Sequence, residues 1–225
     1  MKDLICFLEQ FTTEERKDQL RDIVDQRTRY LTIGLENIYQ TQNASAVLRS
    51  CDCFGVQDVH IIENEYHFDI NPQVVIGASK WLNLHKYNEK DNNTRTTLHK
   101  LKKDGYRIIA TTPHQNDVDL DEFDLEKGKA AFIFGNEREG ISDIVREEAD
   151  EFLKIPMHGF SESLNLSVSA AITLQYFSNK LRKDNISWQL PDKERDSIHL
   201  EWLLKTIKKS DLLVEEFNRR NNTSY

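Results

Sequence analysis

Two short apolar runs, each followed by a loop of glycine and polar residues, constrain the fold of this chain most. The runs span residues 130–134 and 152–155, which is strand length and too short for a helix. The polar side chains of the two loops are Asn136, Glu137 and Arg138 in the first, and Ser161, Ser163 and Asn165 in the second. Function often lies where strands end in such loops. We therefore expect the functional site at the ends of these two strands.

A serine in each loop stands where a helix would begin. Ser142 precedes a short acidic segment, and Ser163 precedes the longest helical pattern of the chain. Serine is a preferred N-cap because its hydroxyl accepts a hydrogen bond from a free backbone N–H. We predict both serines as N-caps, with free N–H groups nearby that can hold an anion or a polar edge of a cofactor.

Segments of strand character alternate with segments of helical periodicity. The predicted strands are 30–38, 56–63, 81–87, 106–111, 130–134 and 152–155. The first predicted helix starts from a capping threonine, Thr12 or Thr13, and ends near Asp25. The other predicted helices are 43–54, 74–79, 94–104 and 164–182, and a further helix starts at Asp192. Asn43 is the expected N-cap of the second helix, and Gly55 and Gly105 are expected helix ends. The alternation predicts an α/β fold with a mainly parallel sheet and helices on both faces.

The helix at 164–182 has two apolar stripes instead of one. The first stripe comprises Leu164, Val168, Ala171 and Ile172, and the second comprises Leu166, Ala170, Leu174, Phe177 and Leu181. A surface helix needs only one such stripe. We expect one stripe to pack on the sheet and the other to contact a partner subunit.

Composition limits the location of the protein and the kind of partner. No apolar run approaches the ~20 residues of a membrane span, and the start lacks a secretory signal, so we expect a cytoplasmic protein with reduced cysteines. The net charge of -8 argues against RNA binding over the whole surface but leaves room for a basic face. Basic residues near the start, at 100–103 and at 180–183 form either such a face or solvated helix surfaces paired with acids.

Three other kinds of site fit poorly. Neither CxxC nor HExxH occurs, so no metal site is predicted. Residues 135–142 nearly match a nucleotide-phosphate loop, but Ile141 replaces the lysine that grips phosphate. Ser161 or Ser163 with His158 would suggest a hydrolase, yet no nucleophile elbow is present.

Three motifs in order resemble a known family. The first is N-x-x-A-x-x-R-x-x-D at 43–52, the second F-G-N-E-R-x-G-I-S at 134–142, and the third I-P-M-x-G-x-x-x-S-L-N-x-S-V at 155–168. Together they resemble the SpoU (TrmH-like) RNA 2'-O-ribose methyltransferases of the SPOUT class. The resemblance covers roughly residues 25–182.

The resemblance implies a fold, an assembly and a cofactor. The fold would be a SPOUT fold with a C-terminal trefoil knot, spanning residues 29–183, with short helical extensions at 1–28 and 184–225. The protein would be a homodimer with its active site beside the subunit interface. S-adenosylmethionine would bind in the knot, and by motif match its contacts would be Thr111, Gly135, Ile155, Met157 and Leu164.

The resemblance also assigns the reacting groups. Arg49 matches the family's catalytic arginine, and Asn43, Glu137, Ser163 and Asn165 match its other active-site positions. A guanidinium rarely loses its proton, so orientation and charge stabilisation are at least as plausible for Arg49 as the role of base. Without the resemblance, the alternatives are a surface Arg49 paired with Asp52, and Asn43 and Ser163 acting only as caps.

The length of the extensions suggests which RNA is the substrate. Only a helix and a strand precede the first motif. Such short helical extensions resemble those of the family's tRNA enzymes, which methylate guanosine 18 in the D-loop. Arg16, Arg27, Lys102 and Arg182 are the expected phosphate contacts. The alternatives are a 2'-O-methyltransferase of rRNA or of another tRNA position, and a non-catalytic RNA-binding protein of the same fold.

Overall fold

A parallel sheet of seven strands forms the centre of the larger of two compact units, residues 28–188. The computed structural model describes residues 1–90, 92–113 and 117–222. The strands are β1 (Leu31–Glu36), β2 (Asp58–Ile62), β3 (Asn83–Tyr87), β4 (Arg107–Thr111), β5 (Val118–Asp119), β6 (Ala130–Phe134) and β7 (Glu151–Lys154). Their order is β3-β2-β1-β6-β4-β7-β5, and every pairing is parallel. The predicted parallel α/β fold is confirmed.

The helices complete this unit and form the other one. In the larger unit they are α3 (Thr41–Cys53), α4 (Pro72–Val75), a 3-10 helix (Ala78–Trp81), α5 (Thr94–Lys103), α6 (Asp143–Glu148) and α7 (Leu166–Lys183). In the smaller unit they are α1 (Lys2–Glu9), α2 (Glu14–Asp25), α8 (Asp192–Thr206) and α9 (Ser210–Asn222). No helix in the described part of the chain is both long and apolar enough to cross a membrane.

Successive residues of β6 face opposite sides of the sheet, as strand geometry requires. Ala130, Phe132 and Phe134 belong to a core shared with α3 and α7, whereas Ala131 and Ile133 belong to a second core shared with α5 and α6. All five side chains are buried. A strand buried on both faces explains the continuous apolar run in the sequence, and the two cores confirm helices on both faces.

The strand register brings the loop ends together. Leu35 of β1 lies beside Phe134 of β6, and Thr111 of β4 lies beside Leu153 of β7. Because the strands are parallel, their carboxyl ends share one edge of the sheet. The loops after β4, β6 and β7 therefore meet, which is what the placement of the motifs requires.

Several predicted helix ends are confirmed. Thr13 caps α2 and Ser142 caps α6 through their hydroxyls, which accept from Arg16 N at 3.2 Å and Val145 N at 3.3 Å. Gly55 and Gly105 follow α3 and α5 with φ of 78° and 87°, a conformation that glycine adopts without steric cost.

Two predicted caps are wrong. Helix α3 begins at Thr41, so Asn43 lies inside its first turn instead of before it. Helix α7 begins at Leu166, and its N-cap is Asn165, whose side-chain oxygen accepts from Ser167 N at 2.9 Å; Ser163 lies outside the helix. In both cases the amide side chains have partners that a local pattern does not reveal.

Other boundaries differ for local backbone reasons. The predicted helix at 74–79 is split, because Ile76 and Gly77 have left-handed φ values of 46° and 77° between α4 and the 3-10 helix. The predicted helix from Asp192 breaks near Lys209, with φ of 59°, into α8 and α9. Helix α1 and the two-residue strand β5 have no counterpart in the prediction.

The smaller unit comprises residues 1–27 and the described residues after 188. Its core includes Leu8, Leu20 and Trp202, all at most 2% exposed. Glu9 accepts two hydrogen bonds from Arg21, at 2.8 and 2.5 Å, and these tie α1 to α2. The predicted domain boundaries after residues 28 and 183 stay a prediction, as does the trefoil knot.

Candidate active site

A pocket of about 320 Å³ lies at the carboxyl ends of β4, β6 and β7. Its lining includes all five predicted cofactor contacts: Thr111, Gly135, Ile155, Met157 and Leu164. Phe134, Leu153 and Leu166 add apolar surface, and Glu137, Arg138 and Ser163 add polar groups. An apolar pocket with a few polar groups at the strand ends is the usual form of a ligand site in a parallel sheet. The structure thus brings the predicted cofactor residues together.

A tight loop after β6 forms one wall of the pocket. Asn136 and Gly140 exchange backbone hydrogen bonds of 2.9 and 2.8 Å, which close the loop. A Cβ atom on Gly135 would lie 2.2 Å from the backbone carbonyl of Gly140, so only glycine fits there without displacing the backbone. The buried Asn136 side chain donates to Asn37 O at 2.7 Å and accepts from Arg138 N at 2.8 Å, which fixes the loop against the end of β1.

Glu137 joins this loop to the start of α3. Its carboxylate accepts from Tyr39 N at 3.0 Å, from Gln40 N at 3.2 Å and from Asn43 Nδ2 at 2.9 Å. Hydrogen bonds to a charged acceptor are stronger than bonds between neutral groups. Glu137 therefore fixes both the chain entering α3 and the orientation of the Asn43 amide.

Asn165 extends this connection to the third motif. Its side-chain N–H donates to Asn43 Oδ1 at 3.1 Å, while its own oxygen caps α7. The chain Glu137–Asn43–Asn165 thus links one residue from each of the three motifs. Sequence distances of 94 and 122 residues separate the bonded pairs, so only the folded sheet brings them together.

Arg49 lies apart from the hydrogen-bonded network of Glu137, Asn43 and Asn165. It is exposed, and no hydrogen bond or ion pair joins it to another described residue, so the alternative pairing with Asp52 does not occur in the described chain. Six residues separate it from Asn43, about 600° of helix rotation, which leaves the two side chains about 120° apart around α3. Arg49 is not among the residues that line the pocket.

Ser163 is exposed and lines the pocket. It belongs to the loop 155–165, in which residues 158–165 are all exposed. The structure therefore places Ser163 at the pocket mouth, whereas Asn43, Glu137 and Asn165 form a pre-arranged polar network.

The predicted phosphate contacts are mostly engaged within the protein. Arg27 is 1% exposed and its guanidinium lies 5.0 Å from the Trp202 ring centroid, so the prediction of a phosphate contact there is wrong. Arg182 is half-buried over Trp188 and donates to Ser178 O at 2.9 Å, and burial lowers its pKa. Lys102 lies 3.5 Å from carboxylate oxygens of both Glu148 and Asp150.

Arg16 is the fourth predicted phosphate contact. It is half-buried and donates to the side chain of Gln19, a neighbour on the same helix, at 2.6 Å. The roles of Arg16, Lys102 and Arg182 in RNA binding stay a prediction.

Glu36 was not predicted as a site residue, yet its carboxylate fixes the starts of α5 and α6 behind the loop that follows β6. Glu36 is 2% exposed, and its carboxylate accepts from Ser142 N, Ser142 Oγ and Thr94 Oγ1 at 3.0, 2.6 and 2.7 Å. These bonds connect the end of β1 to the first turns of α5 and α6. An acid at the end of an apolar strand was the available signal. Within the described residues, no three His, Cys, Asp or Glu side chains are placed to hold a metal ion.

Known proteins share both the sequence and the fold. Residues 30–175 match the family described as SpoU rRNA Methylase family. A tRNA (guanosine(18)-2'-O)-methyltransferase of Borreliella burgdorferi is 36% identical over 214 residues, which is 95% of this chain and 96% of the relative.

Two solved structures illustrate the fold similarity. The A. aeolicus TrmH/SpoU tRNA modifying enzyme has a TM-score of 0.75 and 29% identity, covering 87% of this chain and 98% of that one. The SpoU methyltransferase AviRb of Streptomyces viridochromogenes, in complex with AdoMet, has a TM-score of 0.60 at 20% identity, covers 72% of this chain and 65% of that one, and shows the fold alone. The motifs, the fold and a relative of 36% identity along nearly its whole length agree, and the chain belongs to the SpoU rRNA methylase family.

Proposed function

We propose that this protein transfers a methyl group from S-adenosylmethionine to the ribose 2'-hydroxyl of guanosine 18 in the tRNA D-loop. The observation that carries the proposal is the chain Glu137–Asn43–Asn165, which joins the three family motifs through side-chain hydrogen bonds at 2.9 and 3.1 Å. The name of the relative from Borreliella burgdorferi supplies the nucleotide and the RNA.

The pocket fits the proposed cofactor in size and chemistry. A volume of about 320 Å³ lies at the lower end of the range for small-molecule sites. The apolar side chains of Leu153, Ile155 and Leu166 suit an adenine ring. Gly135 has no side chain that could cover the backbone amide groups of the loop, so these groups can contact the cofactor. Thr111 donates its hydroxyl proton to Ile133 O at 2.9 Å, which leaves the hydroxyl oxygen able to accept a hydrogen bond.

The bound cofactor would supply an electrophilic methyl group on sulfur. The residues of this chain would prepare the nucleophile: a ribose hydroxyl attacks only if its oxygen is positioned and its proton is accepted or stabilised. Asn165 is placed to hold a ribose oxygen, because it is exposed and its amide nitrogen, which donates one hydrogen bond to Asn43, has a second N–H to donate. Asn43 is buried and its amide is fully bonded, so its role is to orient Asn165. Ser163 at the pocket mouth is placed to contact the nucleotide.

Arg49 would act from outside the pocket of its own chain. An exposed guanidinium without an internal partner can hold an RNA phosphate and stabilise charge that develops at the 2'-oxygen. Because the Arg49 side chain is exposed and lies about 120° around α3 from Asn43, away from the Glu137–Asn43–Asn165 network, we propose a homodimer in which the partner subunit completes the site. On α7, Val168 is 44% exposed although Leu174 and Phe177 of the opposite stripe are fully buried, which leaves an apolar surface for the partner.

We also propose that the enzyme works in the cytoplasm, where it would meet tRNA and S-adenosylmethionine. The acidic net charge of -8 requires that tRNA phosphates meet local basic groups, and Arg49 is exposed for such a contact. Phosphate contacts of this kind predict binding that weakens as salt rises.

Incubation with labelled S-adenosylmethionine and unmodified bulk tRNA or rRNA, followed by nuclease mapping and mass spectrometry, tests the proposal. We expect label on the ribose of a D-loop guanosine of tRNA. Label on rRNA or another tRNA position would keep the chemistry and reject the substrate. Cofactor and RNA binding without label on any RNA would favour the alternative of a non-catalytic RNA-binding protein.

Replacing Arg49 tests the assignment of the reacting groups. Arg49→Ala should lower kcat by at least ~100-fold and leave the dissociation constant for the cofactor within about twofold, because Arg49 lies outside the pocket. Arg49→Lys keeps the charge but loses the planar fork, and should recover only part of the rate. Loss of cofactor binding or of the folded protein in Arg49→Ala would contradict this assignment.

A further inference from the structure

The guanidinium group of an arginine lies over an exposed aromatic ring beside the pocket. The guanidinium carbon of Arg138 is 4.2 Å from the ring centroid of Tyr39, and the Tyr66 ring meets Tyr39 edge to face at 5.1 Å between centroids. Tyr39 is 45% exposed, and Arg138 is both exposed and part of the pocket lining. We call these three side chains the Tyr39 platform.

Hydrogen bonds from the active-site loop hold the platform in place. Tyr39 N donates to the Glu137 carboxylate at 3.0 Å, the same carboxylate that orients Asn43. Asn136 Oδ1 accepts from Arg138 N at 2.8 Å. The backbone of Tyr39 and Arg138 is therefore fixed by the same loop that holds the proposed catalytic network.

The backbone around Tyr66 is held by a residue at the end of β1. Asn37, which has a left-handed φ of 53°, accepts from Glu65 N and Tyr66 N at 2.8 and 3.0 Å. A non-glycine residue with positive φ carries a conformational cost that the surrounding bonds must offset. This arrangement orders the loop that presents the Tyr66 ring to Tyr39.

Folding alone does not account for the Arg138–Tyr39 contact. Where similar contacts stabilise the interior, the ring is fully buried, as with Arg107 over Phe123, 5.0 Å from its centroid. At Tyr39 both partners face solvent, where a cation–π pair contributes little to stability. Moreover, no ion pair joins Arg138 to any acid within the described ranges. An exposed, uncompensated and flat guanidinium is suited to bind a flat, electron-rich ligand.

We propose that the Tyr39 platform stacks the base of the nucleotide whose ribose is methylated. Proteins recognise unpaired RNA bases by stacking them on aromatic rings and arginine planes, and the positive guanidinium also attracts RNA phosphates. The inference rests on the proposed function, since it assumes an RNA nucleotide at Asn43 and Glu137. Stacking at this place would draw the target base out of its loop and set the ribose against the catalytic network.

Four variants separate stacking from charge and from folding. Tyr39→Ala removes the ring but keeps the backbone N–H that binds Glu137, and Tyr39→Phe keeps the ring. Arg138→Lys keeps the charge and loses the plane. Lys129→Ala is the matched control, because Lys129 is exposed, lies 5.3 Å from the Tyr106 ring centroid and precedes β6 at the opposite end of the strand.

The experiment measures KM for a tRNA transcript and, separately, the fluorescence of a transcript with 2-aminopurine at position 18. Tyr39→Ala and Arg138→Lys should each raise KM by about 5- to 100-fold, the range that one stacked base accounts for. Both should abolish most of the quenching that the wild-type protein causes, and cofactor affinity should stay within about twofold. Tyr39→Phe should recover most of the affinity that Tyr39→Ala loses, and Lys129→Ala should match the wild type.

Unchanged KM and quenching in Arg138→Lys and Tyr39→Ala would overturn the inference. Since Arg138 is exposed, its substitution leaves the fold intact and the result can be interpreted even if Tyr39→Ala unfolds. If the wild-type protein methylates position 18 and the variants bind tRNA as well as the wild type does, the stacking proposal is rejected and the proposed function is retained. A wild-type protein that methylates no RNA would instead reject the proposed function.

Discussion

Glu137 shows how one side chain can serve both the fold and the site. Its carboxylate receives two backbone N–H groups before α3 and the Asn43 amide. The neighbouring Gly135 allows the loop to turn so tightly that its backbone touches that of Gly140. The geometry of the pocket wall thus depends on two residues of one loop: Gly135, which has no side chain, and Glu137, whose carboxylate accepts three hydrogen bonds.

Gly135→Ala should therefore damage the pocket before it damages the fold. The added Cβ would lie 2.2 Å from the Gly140 carbonyl, so the loop must open, and we expect the cofactor dissociation constant to rise at least ~tenfold with a loss of ~1–3 kcal/mol in the free energy of unfolding. Isothermal titration and chemical denaturation measure the two quantities.

Gly159→Ala is the control for this prediction. An added Cβ at Gly159 meets no heavy atom within 4 Å, so cofactor affinity should match the wild type. If both alanine variants bind the cofactor equally well, the proposed steric requirement at Gly135 is wrong.

Strand β2, which lies between β3 and β1, contains a buried histidine. His60 of β2 is 4% exposed, its ring stacks on His85 of β3 at 4.8 Å, and its Nδ1 lies 2.9 Å from Tyr87 Oη. Burial and the neighbouring His85 lower the pKa of His60 to about 3. The charged groups facing it are Asp58, Lys100 and Asp104.

The pH dependence of stability follows from this lowered pKa. Between pH ~6.5 and about 3, the unfolded chain binds a proton at His60 that the folded chain excludes, so the free energy of unfolding falls as the pH falls. One such proton contributes about 1.4 kcal/mol per pH unit. His60→Gln should reduce the slope measured by urea denaturation between pH 6.5 and 5 by up to that amount.

The exposed His158 provides the control in the same series. His158→Gln removes a histidine from the exposed loop and should keep the wild-type slope. An unchanged slope in His60→Gln would show that His60 is not the group responsible.

The strands could be predicted from the sequence more reliably than the starts of the helices. Continuous apolar runs predicted the strands well, since a strand buried on both faces leaves that pattern, as β6 does. Helix starts were predicted where the cap is local, as at Ser142, and wrong where the amide bonds across the fold, as at Asn43. Arg27 was misplaced because its burial against Trp202 involves a helix 175 residues away in sequence.

For the whole molecule, the position of Arg49 makes the dimer part of the catalytic argument. Arg49 is absent from the pocket lining of its own chain, whereas the five predicted cofactor contacts all line it. The exposed apolar residues Leu164 and Val168 begin the surface proposed for the partner. A site completed across the interface accounts for both facts.

Mixed dimers test this arrangement. Arg49→Ala and Gly135→Ala subunits, co-expressed with different tags and purified through both, should form dimers with one complete site and regain up to half of the wild-type rate. At a cofactor concentration well below the dissociation constant of the Gly135→Ala protein, each homodimeric variant should have only a small fraction of the wild-type rate. If Arg49 acts within its own chain, the mixed dimer has no complete site and stays inactive, which would contradict the proposal.

Methyl transfer to one ribose oxygen can be tested by removing that single atom from the substrate. The rate of label transfer should be compared between a tRNA with guanosine at position 18 and the same tRNA with 2'-deoxyguanosine there. We predict one methyl group per tRNA at position 18 of the first and none on the second. Equal labelling of both RNAs, or label on neither with the cofactor bound, would contradict the account.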